Sequence, residues 1–126
     1  MKTSSRYSLV VEKNGKVIFK SKEQKLLPLV KCIKELDISG AKVFDKIVGV
    51  AAARLLAYAG VKEVHAGIAS KKAAEIFKNN GIKINATEIV DHILSDTGNI
   101  CKFEKLSMKF RSNEKFFKEL VRMFEL

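Results

Sequence analysis

Residues 41–60 read Ala-Lys-Val-Phe-Asp-Lys-Ile-Val-Gly-Val-Ala-Ala-Ala-Arg-Leu-Leu-Ala-Tyr-Ala-Gly, and the fold turns on how this stretch is divided. It reads as a short buried strand from Ala41 to Phe44, a charged elbow at Asp45-Lys46, and a helix that stops at Gly60. Only Gly49, Arg54 and the Tyr58 hydroxyl interrupt the helix's apolar surface. A helix apolar all round must be buried on most sides. Its alanines let neighbouring backbones come close, and Gly49, one turn in, marks a position where a backbone or a ligand approaches. Strand and helix therefore form the expected centre of a small domain, and the elbow is where charge meets that centre.

Upstream, Asn14-Gly15 separates two runs of alternating apolar and polar residues, Tyr7 to Lys13 and Lys16 to Lys22. Both residues of a two-residue hairpin turn need φ > 0, which Asn-Gly supplies, so a β-hairpin is predicted. A helix follows near Leu27, with Pro28 in its first turn, where the missing N–H costs nothing. Its apolar stripe is Leu29, Cys32, Ile33 and Leu36, which makes Cys32 a core residue.

Downstream, Val61 to Ala69 reads as a strand, Ser70 as the N-cap of a helix over residues 71–78, and Asn79-Asn80-Gly81 as its stop. Ile82 to Ala86 is a third strand and Thr87 to Leu94 a short helix, with a loop from Ser95 to Asn99. The tail holds a helix opened by Ser112, with Phe117, Leu120, Val121 and Phe124 on one stripe. Strands alternating with helices across short connections predict right-handed crossovers and parallel pairing. The expected fold is α/β: a five-stranded mixed sheet opened by a hairpin, with helices on both faces.

The 126 residues fit one domain, with 7–107 as its core and 108–126 as a C-terminal helix. No apolar run reaches the roughly 18–20 residues of a membrane span. Nothing apolar follows the first residues in the manner of a signal peptide, so a cytoplasmic protein is expected. The net charge is +10, and 20 of the 24 basic residues are lysine. The excess lies in the two ends of the chain: +6 over residues 1–36, +1 over 37–98 and +3 over 99–126. Lysine is a hydrated point charge without arginine's bidentate fork. A solvated surface therefore accounts for the lysines better than nucleic-acid binding does.

Ligands of parallel α/β sheets bind beyond the carboxyl ends of the strands, where helix N-termini present N–H groups. Two such places are predicted, Asp45-Lys46 and the Ala69-Ser70 junction, together offering a carboxylate, an ammonium and a hydroxyl. Cys101, with Glu104 three residues on, stands at a loop-to-helix junction of the kind that can activate a thiol. His65 and His92 lack companions at ligand spacing, and neither cysteine belongs to a Cys-x-x-Cys pair, so no metal or other cofactor is expected.

Asn14-Gly15, Leu27-Pro28-Leu29, Asp45-Lys46-Ile-Val-Gly49-Val-Ala51-Ala52-Ala53 and Cys101-Lys-Phe-Glu104-Lys105-Leu106 occur in this order. Together they resemble a bacterial domain-of-unknown-function family with a cytidine-deaminase-like fold, over roughly residues 7–107. The family's cysteine segment reads Cys-Pro-x-Glu, and this chain has Lys102 at the proline. The resemblance implies a three-layer α/β/α sandwich. Zinc deaminases carry His-x-Glu or Cys-x-Glu at one helix start and Pro-Cys-x-x-Cys at the next. The corresponding starts here, Leu27-Pro28-Leu29 and Asp45 to Gly49, hold no such set.

The expected function is a metal-free small-molecule-binding domain or enzyme. Asp45, Lys46, Cys101 and Glu104 are its candidate catalytic residues, and Ser70 and Gly49 further ligand contacts. Asp45 would act as base or anchor, and Lys46 would hold an anionic group. A non-catalytic structural or oligomerising module, a homo-oligomer included, is the competing reading, and weak nucleic-acid binding through the lysine-rich ends a third.

Overall fold

The computed structural model describes residues 6–23, 25–94, 98 and 101–126; Gly98 apart, the expected 95–99 loop lies outside them. The hairpin forms as the Asn-Gly turn requires, with φ of 54° at Asn14 and 79° at Gly15. Its strands β1 (Leu9–Lys13) and β2 (Lys16–Ser21) close on the pair Lys13 and Lys16, with a bulge where Ile18 drops out of register.

Helix α1 (Leu27–Glu35), strand β3 (Lys42–Val48), helix α2 (Val50–Ala59), strand β4 (Glu63–Ser70), helix α3 (Lys71–Asn79) and strand β5 (Lys83–Val90) follow. The sheet is five-stranded and mixed, ordered β2-β1-β3-β4-β5. β1 runs antiparallel to both neighbours, and β3, β4 and β5 are parallel. Helices α4 (Lys102–Ser107) and α5 (Asn113–Met123) complete the chain. Ser70 and Ser112 cap α3 and α5, their hydroxyls accepting from Ala73 N at 3.1 Å and Lys115 N at 3.2 Å. Gly60 ends α2 in the left-handed conformation, as its lack of a Cβ allows.

Register explains the core. Val11, Val43, Val64 and Ile84 align across four strands, and in the next row so do Leu9, Asp45, Ala66 and Ala86. The apolar members of both rows join one hydrophobic cluster, to which all five helices contribute. The reverse face of the sheet carries Val10 and Phe44, both buried, with Phe44 stacked on His65 at 4.8 Å.

Two expected boundaries are corrected. Asp45-Lys46 is not an elbow: β3 runs on to Val48, because Asp45 pairs with Leu9 on one side and Ala66 on the other. Ile47 and Val48, β-branched, then extend the ladder against Ile68 and Ala69. The elbow is Gly49. Likewise Thr87 to Val90 is strand rather than helix, because Glu88, Ile89 and Val90 continue the pairing with Ile68, Ala69 and Ser70. The helix stripes also shift a little: Leu36 is exposed while Val30 is buried in α1, and Phe116 lies deeper than Phe117 in α5.

Gly67 has a steric reason. A Cβ there would lie 2.7 Å from the Lys46 carbonyl oxygen. Past this close approach the alternation resets, so that Val48 and Ala69 enter the core while Ile47 stays exposed. Because the obstacle is backbone in a central strand, Gly67→Ala must push β3 and β4 apart. Urea unfolding should show a loss of about 1–3 kcal/mol; an unchanged midpoint would refute the close approach.

Candidate ligand-binding site

Helix α2 begins without help from its own first turn. Its N-cap is Gly49, its first turn holds no acidic residue, and its first N–H groups have no partner within the helix. Glu104 supplies one from α4. Its Oε2 accepts from Val50 N at 2.7 Å and its Oε1 from Ala51 N at 2.9 Å. The carboxylate is almost wholly buried. Charge, helix dipole and two hydrogen bonds act in the same direction here. Gly49 is what makes room: a Cβ would stand 2.6 Å from Oε1 and 2.8 Å from Cδ of Glu104. Its φ of −100° is open to any residue, so the demand for glycine is purely one of space.

Beside this junction, at the carboxyl end of β3, lies a cavity of ≈ 240 Å³. Its walls are mainly apolar, with Leu26 and Leu29 of α1, Ala51 and Ala52 of α2, and Phe103 of α4 among them. Asp45 opens into it from the sheet. Counting by twos from Val43 puts its side chain on the helix-facing side, in a row otherwise made of Leu9, Ala66 and Ala86. Burial there pushes the Asp45 carboxyl up to about 7, eased by hydrogen bonds from the backbone N–H groups of Ile47 and Lys46. The Ile47 bond is long, at 3.4 Å.

Around the same cavity the structure gathers Asp45, Lys46, Gly49, Cys101 and Glu104 of the expected residues. Cys101 is half-buried at the start of the six-residue α4. Ser70 stands apart: it caps α3 and lines a separate hollow of ≈ 50 Å³ with His92 and Asp91. His65 stacks on Phe44 and meets the Glu63 carboxylate. Cys32 is fully buried, its thiol pushed up to about 12 by desolvation and then by Glu35.

Sequence reasoning missed Ser8, Glu23 and Lys25, which also line the cavity. Ser8 is buried, its hydroxyl within reach of the carbonyl oxygens of Ser21, at 3.1 Å, and Glu23. The antiparallel pairing of β1 with β3 brings the start of the hairpin to the carboxyl end of β3, and a hairpin motif carries no sign of that.

The residues do not fit a deaminase zinc. The starts of α1 and α2 present Leu27-Pro28-Leu29 and Gly49-Val50-Ala51, without thiolate or imidazole, and the N–H groups of α2 already hold a carboxylate. Among the described residues, no three histidine, cysteine or acidic side chains converge.

The model of the TM1506 family, a domain of unknown function (DUF1893), matches residues 2–124. The chain belongs to the DUF1893 family. Its fold is similar to the crystal structure of a DUF1893 family protein (TM1506) from Thermotoga maritima, with TM-score 0.83 and 31% identity, covering 93% of this chain and 80% of that one. A weaker likeness is to a diaminohydroxyphosphoribosylaminopyrimidine deaminase/5-amino-6-(5-phosphoribosylamino)uracil reductase, also from Thermotoga maritima. There the TM-score is 0.49 and the identity 19%, over 62% of this chain and 28% of that one. Another is to a dCMP deaminase from cyanophage S-TIM5 in complex with dCMP and dUMP, with TM-score 0.48 and 18% identity, over 62% and 78%. No curated protein matches.

Two measurements follow for this DUF1893 chain. Glu104→Ala leaves two N–H groups orphaned and should lose about 2–4 kcal/mol, with Glu104→Gln recovering part. Gly49→Ala should cost about 1–3 kcal/mol in the parent, by overpacking against the carboxylate. In the Glu104→Ala background it should cost almost nothing; additive losses in that double-mutant cycle would show that the glycine serves something else.

The second concerns pH. A carboxyl whose folded pKa is raised favours the protonated native state. Stability is therefore lost as pH climbs from about 4, where the unfolded chain ionises, to about 7. Asp45→Asn removes that loss and should stabilise by about 1–2 kcal/mol at pH 8, less than the full shift would give because the side chain keeps some solvent contact. At pH 4 the two proteins should melt together. A stabilisation independent of pH would place its origin in packing instead.

Proposed function

We propose that the cavity at the carboxyl end of β3 binds a small, largely apolar organic molecule, with Asp45 as its polar anchor. One observation carries this reading: a carboxyl that the sheet register sets in an apolar row opens into a cavity rather than into packed core. Binding sites of this kind combine apolar walls with a few convergent polar groups. Asp45 also lies in the pKa range suited to general acid–base work near neutral pH. If the domain is catalytic, Asp45 is the proton-transfer group and Cys101, which also lines the cavity, a second reacting group. Glu104 takes a positioning role, because both of its oxygens are engaged by α2.

The competing reading, a non-catalytic module, draws on that same engagement of Glu104. Titration of ¹⁵N-labelled protein with benzamide, a neutral planar probe, separates the two. The expected result is chemical-shift change confined to the amides of residues 45–52 and 101–104, abolished in Ala52→Met, which fills the cavity. Absence of change with millimolar benzamide and with millimolar benzamidine alike, or change elsewhere, would defeat the binding reading.

A further inference from the structure

We infer that the ligand of this cavity presents an amidinium-type group, a planar cation with paired N–H donors, to Asp45. The inference rests on the binding reading above and adds the chemical class of the polar end. It comes from where the cavity's hydrogen-bonding capacity is already used. In most α/β sites the helix N-terminus beside the ligand is the place for an anion. Here that place is filled from within, because the first N–H groups of α2 point at Glu104. A phosphate or carboxylate would have to displace a buried carboxylate, and it would meet Asp45 and Glu23 in the same cavity.

Asp45 is the opposite case. It accepts backbone hydrogen bonds but sits in an apolar row, and among the described residues no side-chain cation contributes to its shift, although Lys25 and Lys46 line the cavity. Lys25 is exposed and marks the mouth. Glu23, Lys25, Lys46, Cys101 and Glu104 are the titratable groups that share the cavity with Asp45. A ligand with two parallel N–H donors completes the carboxylate in the bidentate geometry such pairs prefer. Leu29, Phe103 and the alanines of α2 offer apolar wall to its flat body. Binding draws Asp45 to its ionised form, so affinity rises with pH through about 7.

Three probes of one shape test this: benzamidine, benzamide and benzoate, titrated calorimetrically at pH 8 and pH 5.5. Benzamidine should bind at least tenfold more tightly than benzamide at pH 8, and benzoate should not bind. At pH 5.5 the advantage of benzamidine should shrink several-fold. Asp45→Asn, whose folding the melts at pH 8 and pH 4 check independently, should abolish that advantage. If benzamide or benzoate binds as well as benzamidine, the cation assignment falls and the cavity reading stands. If benzamidine's advantage survives Asp45→Asn, another group holds the cation and the assignment to Asp45 falls. If none of the three binds, the cavity reading falls, and this inference with it.

Discussion

The hydrogen bonds from Val50 and Ala51 to Glu104 join two parts of this molecule more than fifty residues apart in sequence. Helix α2 has no capping side chain of its own and almost no polar surface, so it depends on a carboxylate brought from α4. That carboxylate fits only because residue 49 lacks a Cβ. One buried anion therefore fixes where β3 ends, where α2 begins and how α4 sits on both. Arg54, the one charge in α2, extends the attachment. It donates to Asn113 Oδ1 at 2.7 Å and to the Ser107 carbonyl, and lies over the Phe116 ring. The C-terminal segment is thus built into the core rather than appended to it.

Features set by a few neighbouring residues were legible before the structure. Asn14-Gly15 makes its turn, Gly60 and Ser70 end and begin helices, and Pro28 enters the first turn of α1, because each acts through local backbone geometry. Boundaries decided by pairing were not. Ile47-Val48 suits a buried helix as well as a strand, and only the ladder to Ile68 and Ala69 decides between them. Thr87 to Val90 is the same problem at the sheet edge. The alternation of an isolated segment carries no trace of the partner strand that will extend it.

The candidate site was legible as a collection of residues and not as an arrangement. Asp45, Lys46, Gly49, Cys101 and Glu104 do meet at one cavity, but the placing of Gly49 and Glu104 differs from the expected one. Gly49 was placed one turn inside a helix and is instead the turn itself. Glu104, a candidate catalytic residue on the sequence, holds a helix more than fifty residues away. Ser70 kept its local role as a cap, and that role leaves it outside the cavity. Ser8 and Glu23 went unnoticed because sheet topology, not sequence spacing, brings the hairpin's ends to the site.

The four-residue displacement of the elbow, from Asp45 to Gly49, changes the chemistry as well as the boundary. Had Asp45 headed the helix, it would have taken the N–H groups itself, stayed ionised well into acid, and left a neutral, satisfied junction. On the strand, two residues after Val43, it points beneath the helix layer without access to those groups, and Glu104 takes them instead. Two carboxylates near one helix start thus live in different environments: Glu104 on the N–H groups of a helix, Asp45 in an apolar row of the sheet with two local backbone N–H groups. Glu104 caps the helix with both of its oxygens engaged. Asp45 is costly to the fold at neutral pH, and under the proposed binding reading that cost has a use, since a ligand that supplies further donors meets a carboxyl already in place.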